Sequence, residues 1–373
     1  MARDPSAPSP PGDPKRGRGA TFNPANRCHD ASREAVDDGW APPPPDAAEG
    51  PPPRQVRTTV AIQHARTILR RNDSPDIPFS QSINPYQGCE HGCIYCYARP
   101  SHAWLDLSPG LDFETKLFAK PDAAKLLRTE LSKPGYVCEP IALGTNTDPY
   151  QPIEREWRIT RSILEVLAQT RHPFSIVTKN ALVERDLDLI APMAAQGLAR
   201  VYLSVTTLDP DLARRLEPRA SAPARRIAAL RTLSAAGVPT GVMVAPVIPQ
   251  LNDRDLEAIL EAASAAGARS AGWIMLRLPL EVAPLFRGWL AAHYPDRAAH
   301  VMSIVHDVRG GRDYDSRFGT RMRGTGVIAD LIAKRFEVAC RRLGLDRGRD
   351  RSPPDTGRFR PPPRDDGRQA SLF

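Results

Sequence analysis

Between residues 140 and 292 the chain alternates short apolar runs with longer amphipathic ones, and this rhythm limits the fold more than any other feature. Residues 140–144, 174–178, 201–205, 240–245 and 271–276 read as buried strands. Helical spacing fills the intervals at 155–169, 183–195, 222–236, 253–266 and 281–292. Strands that alternate with helices at this spacing form a parallel sheet covered by helices. A further strand over 77–83 makes about six βα units, enough for a partly closed α/β barrel. Before them, Ile62, Ala65, Ile68 and Leu69 fall at helical spacing. Residues 113–118 alternate as a strand, and 123–131 read as a helix. After the barrel, 309–326 is a loop rich in Gly and Arg, and Ile328, Leu331, Ile332, Arg335, Phe336 and Ala339 mark a last helix ending near Gly344.

In such a barrel, chemistry belongs to the loops at the C-terminal ends of the strands. The unusual polar residues fall there: Thr145, Asn146, Thr147 and Asp148 after the 140–144 strand, Lys179 and Asn180 after the next, Ser204, Thr206 and Thr207 on the third, and Arg277 after the fifth. The loop after the first strand is the most distinctive. It carries Cys89, Cys93 and Cys96, half of the six cysteines of the chain, in the spacing Cys-x3-Cys-x2-Cys. Clustered cysteines of this kind are metal ligands more often than disulfide partners where thiols stay reduced. Three thiolates are one short of a structural zinc set, which His91 or His102 could complete. A 4Fe-4S cluster held by three cysteines instead leaves one iron open to a small molecule, so the missing ligand becomes the reactive position. Cys28, Cys138 and Cys340 stand alone and read as ordinary thiols. Cys138 precedes its strand, roughly 20 Å from the barrel mouth at the rise of an extended chain.

No run approaches the roughly 18 apolar residues of a membrane span, and the N-terminus has no apolar core of a secretory signal, so a soluble cytoplasmic protein is expected. The net charge of +8 suits a polyanionic partner such as DNA or RNA. Residues 1–57 are Pro-rich and read as a mostly disordered arm, interrupted by the basic patch Lys15-Arg-Gly-Arg-Gly19 and by Trp40. The domain then spans 58–344, and 345–373 reads as a disordered tail.

The cysteine loop, Cys-x3-Cys-x-Tyr-Cys with Tyr95 before the last thiol, resembles the signature of the radical S-adenosylmethionine (SAM) superfamily. A closer resemblance is to the branch containing spore photoproduct lyase. It runs from Arg16-Gly-Arg-Gly-Ala20 to the last helix and includes Asn84-Pro-Tyr-Gln-Gly88, Gly144-Thr-Asn-Thr-Asp-Pro-Tyr150, Val177-Thr-Lys179 and Leu216-Glu-Pro-Arg219. The resemblance implies a partial (β/α)6 TIM-like barrel. It also implies a 4Fe-4S cluster on Cys89, Cys93 and Cys96 that cleaves SAM to a 5′-deoxyadenosyl radical. Tyr95 is then expected near the adenine, Tyr97 beside the cluster, Lys179 at the SAM carboxylate, and Ser204, Asn146 and Thr147 as further SAM contacts. A reducing partner of flavodoxin or ferredoxin type follows from the same chemistry. Where that branch places a hydrogen-donating cysteine, this chain has Thr145, so the substrate stays unassigned. The alternative is a zinc or iron-sulfur module that binds nucleic acid without SAM chemistry. The last residues, Gln369-Ala-Ser-Leu372-Phe373, resemble the peptide by which bacterial proteins dock on the replication sliding clamp.

Overall fold

The computed structural model describes residues 14–28, 56–345 and 355–363. Among the described residues ten strands form two sheets: β1 (Thr59–Ile62), β2 (Leu69–Arg71), β3 (Gln81–Ile83), β4 (Tyr86–Gln87), β5 (Lys116–Ala119), β6 (Ile141–Leu143), β7 (Phe174–Thr178), β8 (Ala199–Ser204), β9 (Thr240–Val247) and β10 (Ser270–Met275). The large sheet has the order β10-β9-β8-β7-β6-β3-β2. All its pairings are parallel except β2 with β3. Six parallel strands in sequence order with helices between them are the expected partial (β/α)6 barrel.

The helices form because their apolar residues make one stripe. In Ile159–Gln169, residues Ile159, Ile163, Leu164, Val166 and Leu167 are buried, a spacing that lays them along one face against the sheet. Asp209 caps the helix Pro210–Leu216 by accepting from the N–H groups of Asp211 and Leu212, with Pro210 at the first helical position. Gly344 in the left-handed conformation ends the last helix, Val327–Leu343, where the sequence placed its stop. The principal core lies between strands β6–β10 and this helical layer. A second core joins the cysteine loop to the helices Val282–His293 and Pro295–Asp307 through Ile94, Tyr95, Leu216, Phe286 and Trp289.

The structure departs from the sequence reading in four places. The helical spacing of Ile62, Ala65, Ile68 and Leu69 is overridden: Ile62 ends β1, Leu69 opens β2, and Ala65 and Ile68 lie in the connection, because each strand finds a partner, β1 on β5 and β2 on β3. Residues 113–118 divide between a short helix, Leu111–Thr115, and β5, so Phe113 is helical. The helix Pro295–Asp307 was not foreseen. Finally, part of each terminal arm is packed on the domain. Arg18, Gly19, Ala20 and Thr21 are buried, and Phe359 packs against the main core. Trp40 and the Gln369, Leu372 and Phe373 motif lie outside the described residues. Among the described residues no helix is long and apolar enough to cross a membrane.

Candidate functional site

The C-terminal ends of β3, β6, β7, β8, β9 and β10 share one end of the sheet, and the cysteine loop leaves β3 into that mouth. Its position is set by backbone hydrogen bonds rather than by the thiols. Asn84 Oδ1 accepts from the Asn146 N–H at 3.0 Å and from the Thr145 hydroxyl at 3.3 Å, which latches the exit of β3 to the exit of β6. The Gly88 carbonyl accepts from the Thr147 hydroxyl at 2.7 Å and from Gln151 Nε2 at 3.3 Å, while Gln151 Oε1 accepts from the Glu90 N–H at 2.8 Å. Gly144 makes this approach possible: at φ +95° its backbone passes so near β7 that a Cβ would lie 2.0 Å from the Val177 carbonyl oxygen.

Beneath the loop lies a polar network that the sequence reading did not single out. Arg99, fully buried, donates from Nε to the Cys93 carbonyl at 2.9 Å and from its terminal nitrogens to the carbonyls of Gly92, Pro109 and Gly110. It forms a buried ion pair with Glu114. Glu114 also accepts the N–H groups of Gly19 at 3.0 Å and Ala20 at 2.8 Å. The basic patch of the N-terminal arm is therefore a strap under the cysteine loop. Gly19 is required there, since a Cβ would meet the Gly92 carbonyl oxygen at 1.9 Å. The only advance signal was the Arg16–Ala20 run within the resemblance.

Cys89 and Cys93 are buried and Cys96 is half-buried. Burial pushes all three thiols up, and each of the pairs Cys89–Cys93, Cys89–Cys96 and Cys93–Cys96 lies close enough for mutual electrostatic repulsion to add to it. Among the described residues no three His, Cys, Asp or Glu side chains form a group that could hold a single metal ion. The histidines proposed to complete a zinc set are engaged elsewhere. His91 Nδ1 faces Asp148 at 3.3 Å and its Nε2 faces Asn180. His102 Nε2 faces the Lys116 carbonyl at 2.9 Å, with its ring edge-on to Phe113.

The remaining candidates line the same mouth. Tyr95 is buried; its hydroxyl donates to Glu217 and lies 3.2 Å from the Thr206 hydroxyl. Lys179 Nζ sits 5.7 Å from the centroid of the Tyr95 ring, donates to the Ala245 carbonyl at 3.2 Å and faces Glu217 at 3.5 Å. Burial alone would raise Glu217, but Arg226 and Lys179 overcome it and hold the carboxyl down at about 2. Asp148 follows the same logic: burial opposes ionisation, and His91, the Thr178 hydroxyl and the Lys179 N–H more than offset it. Ser204 is buried at the end of β8, with its carbonyl held by Arg226 at 2.9 Å. Tyr97 is the exposed member, 46% accessible, with its hydroxyl donating to the Thr145 carbonyl. Asn146 and Thr147 sit at the mouth, and the Asn146 N–H and Thr147 hydroxyl described above hold the loop. Arg99 is the structural polar group that spacing could not reveal, whereas Asp148 and Glu217 fall inside the runs that carried the resemblance. Cys138 precedes β6 at the other end of the barrel, near Tyr136 and Glu139.

Comparison with known proteins adds an independent line. The family model of the radical SAM superfamily matches residues 83–263. An uncharacterized protein of Mycobacterium tuberculosis is 42% identical over 260 residues, covering 69% of this chain and 75% of the relative. One from Methanocaldococcus jannaschii is 32% identical over 171 residues, covering 46% and 61%. Among solved structures, a spore photoproduct lyase variant aligns with a TM-score of 0.54 at 17% identity over 77% of this chain and 80% of that one. Spore photoproduct lyase complexed with dinucleoside spore photoproduct aligns at 0.51 and 20% identity over 76% and 78%. The barrel is thus one that spore photoproduct lyase shares, and by the pattern its sequence carries from the first barrel strand onward the chain belongs to the radical SAM superfamily of enzymes.

Proposed function

We propose that Cys89, Cys93 and Cys96 hold the family's 4Fe-4S cluster and that the barrel mouth binds SAM against it. The observation that carries this reading is the placement of three mutually interacting thiols on one loop at the C-terminal end of the first parallel strand. The donor set fits the cluster: the thiols are free, buried thiolates call for a cationic centre, and neither neighbouring histidine supplies a fourth ligand. When bound, the cluster supplies the electron that cleaves SAM into methionine and a 5′-deoxyadenosyl radical able to take hydrogen from a substrate.

The chain's own residues prepare that event. Lys179 has three ammonium donors. Ala245 and Glu217 engage two of them, which leaves one for the SAM carboxylate. Glu217 stays ionised between Arg226 and Lys179, so it fixes the Tyr95 phenol and the ammonium together at the mouth. Ser204, and the Asn146 and Thr147 loop, border the same space. Tyr97, the residue after Cys96, presents an exposed ring whose hydroxyl is held by the Thr145 carbonyl. Arg99 and Glu114 hold the loop backbone, so the three cysteines are carried on a loop fixed by contacts other than their own thiols.

A low-potential electron carrier of flavodoxin or ferredoxin type is the fitting reductant. The substrate is proposed to be carried on nucleic acid, a reading supported by the net charge of +8 and by the dinucleoside bound to the lyase that shares the fold. Direct reversal of a thymine adduct with a cysteine hydrogen donor after β6 is not part of the proposal, because Thr145 stands there and its hydroxyl donates to Asn84. Anaerobically reconstituted protein with dithionite and SAM is expected to release 5′-deoxyadenosine, and Cys93→Ala to release none. Activity retained in Cys93→Ala would sink the assignment.

A further inference from the structure

The arginines near the mouth differ in what already engages them. Arg219 pairs with Glu90 at 3.0 Å, Arg226 with Glu217, Arg225 with Glu184 and Arg321 with Asp76. Arg277, two residues beyond β10, has no carboxylate partner among the described residues. Its guanidinium lies between two tyrosine rings, 5.0 Å from the centroid of Tyr97 and 5.6 Å from that of Tyr314. One terminal nitrogen donates to the Tyr314 hydroxyl at 3.0 Å, and the other reaches only the Met322 sulfur at 3.6 Å. The buried Nε has no hydrogen-bond partner among the described residues. A guanidinium offers five N–H donors, and here the protein satisfies few of them.

The neighbour deepens the imbalance. Arg309 is buried, donates to the carbonyls of Met275, Leu276, Thr320 and Arg321, and likewise has no ion pair among the described residues. Burial and the charge of Arg277 pull it down to about 10. Asp315, whose charge Arg309 feels, is itself held by Arg317 and Thr320. Arg309 is thereby structural, whereas Arg277 presents an unanswered charge beside Tyr97, the residue after Cys96.

We propose that Arg277 anchors an oxyanion of the substrate, a phosphate or carboxylate, at the rim of the mouth. This rests on the reading of the mouth as the SAM-cleaving site and adds the class of group the substrate must carry. A planar fork is suited to bidentate oxyanion binding, and the two rings fix its plane. The same chemistry could be supplied by the carboxylate of SAM, so the test separates the two sources.

The reconstituted enzyme is titrated with inorganic phosphate, followed by calorimetry, and separately with SAM. Arg277→Gln is expected to weaken phosphate binding at least tenfold, and Arg277→Lys, which keeps the charge and loses the fork, about threefold to tenfold. Arg225→Gln, which removes an exposed, ion-paired arginine, is expected to stay within twofold and so controls for the net positive charge. SAM affinity is expected to stay within twofold throughout, and saturating SAM to leave phosphate binding intact. Displacement of phosphate by SAM, or loss of SAM affinity in Arg277→Gln, assigns the oxyanion to SAM and overturns the proposal. Absence of phosphate binding by the wild type, or an equal loss in Arg225→Gln, overturns it as well. If the Arg277 variants do not fold, Tyr314→Phe decides: it frees one guanidinium N–H and is expected to tighten phosphate binding twofold to fivefold, and a weakening of that size overturns the assignment. The titration does not read 5′-deoxyadenosine, so its failure leaves the SAM chemistry standing, and the absence of SAM cleavage leaves the titration interpretable.

Discussion

At the scale of single residues, His172 shows how burial becomes a pH dependence. The ring is buried, its Nε2 faces the Tyr136 hydroxyl at 2.7 Å, and Nδ1 faces the Pro173 carbonyl at 3.0 Å. The Tyr136 hydroxyl donates its proton to Gln81 Oε1 at 3.0 Å, so neither contact supplies the ring with a negative charge that would hold a proton on it. Burial lowers its pKa to about 4. In the unfolded chain the ring takes a proton near its ordinary value of about 6.5, so below that pH the unfolded state binds more protons. The stability associated with the neutral ring is complete above about pH 6.5 and is lost as pH falls toward 4, by roughly 1.4 kcal/mol per pH unit at most. Denaturant midpoints measured at pH 7 and pH 5 should fall in the wild type and fall less in His172→Gln. An equal fall in both proteins would show that other groups dominate the acid limb.

At the scale of elements, the strap formed by residues 14–28 carries the clearest consequence. Arg18 donates to the Glu114 carbonyl at 3.0 Å and to the Thr58 hydroxyl at 2.8 Å, and Thr58 in turn donates to Glu90 in the cysteine loop. Gly19→Ala would drive a methyl group into the Gly92 carbonyl, an overpacking that costs about 1–3 kcal/mol. Glu114→Ala leaves Arg99 buried without its partner, which costs about 3–5 kcal/mol. Both variants should show lowered melting temperatures and reduced iron content after reconstitution; full iron content in Glu114→Ala would contradict a role for the strap in holding the loop. The strap also explains what could be read in advance. The strands β6–β10 were legible because buried parallel strands are continuous apolar runs, and the cysteine triad was legible because its spacing is local. Arg18, Arg99 and Glu114 were not, because each acts through contacts between residues as much as 96 positions apart, and a buried ion pair leaves no periodic trace. The same holds for β1 and β2, whose weak helical spacing lost to pairing partners elsewhere in the chain.

At the scale of the whole molecule, the barrel separates the mouth that carries the cysteine loop from the opposite end, and the open seam between the edge strands β10 and β2 is bridged by neither sheet. The loop 309–326 crosses it: the Met275 N–H donates to the Met322 carbonyl at 2.8 Å while Arg321 pairs with Asp76 before β3. The strap crosses near the mouth, where Phe22 lies against Gly288 and Arg27 pairs with Glu281. Residues 355–363 do neither. The Arg360 N–H donates to the Thr170 carbonyl at 2.8 Å, and Phe359 packs 5.2 Å from His172 and 5.5 Å from Tyr136 between ring centroids. Thr170 and Tyr136 precede β7 and β6, so this segment caps the N-terminal end of the barrel, a strand's length from the cysteine loop. Truncation after Leu345 should therefore remove the burial of one aromatic side chain, about 1–3 kcal/mol, and lower the melting temperature by a few degrees. The thiols, Lys179 and Arg277 lie at the opposite end, so the truncated protein should take up iron and release 5′-deoxyadenosine within twofold of the full chain. A tenfold loss of that release with iron content unchanged would mean that the two ends communicate through the sheet, and that the bottom of the barrel takes part in the reaction.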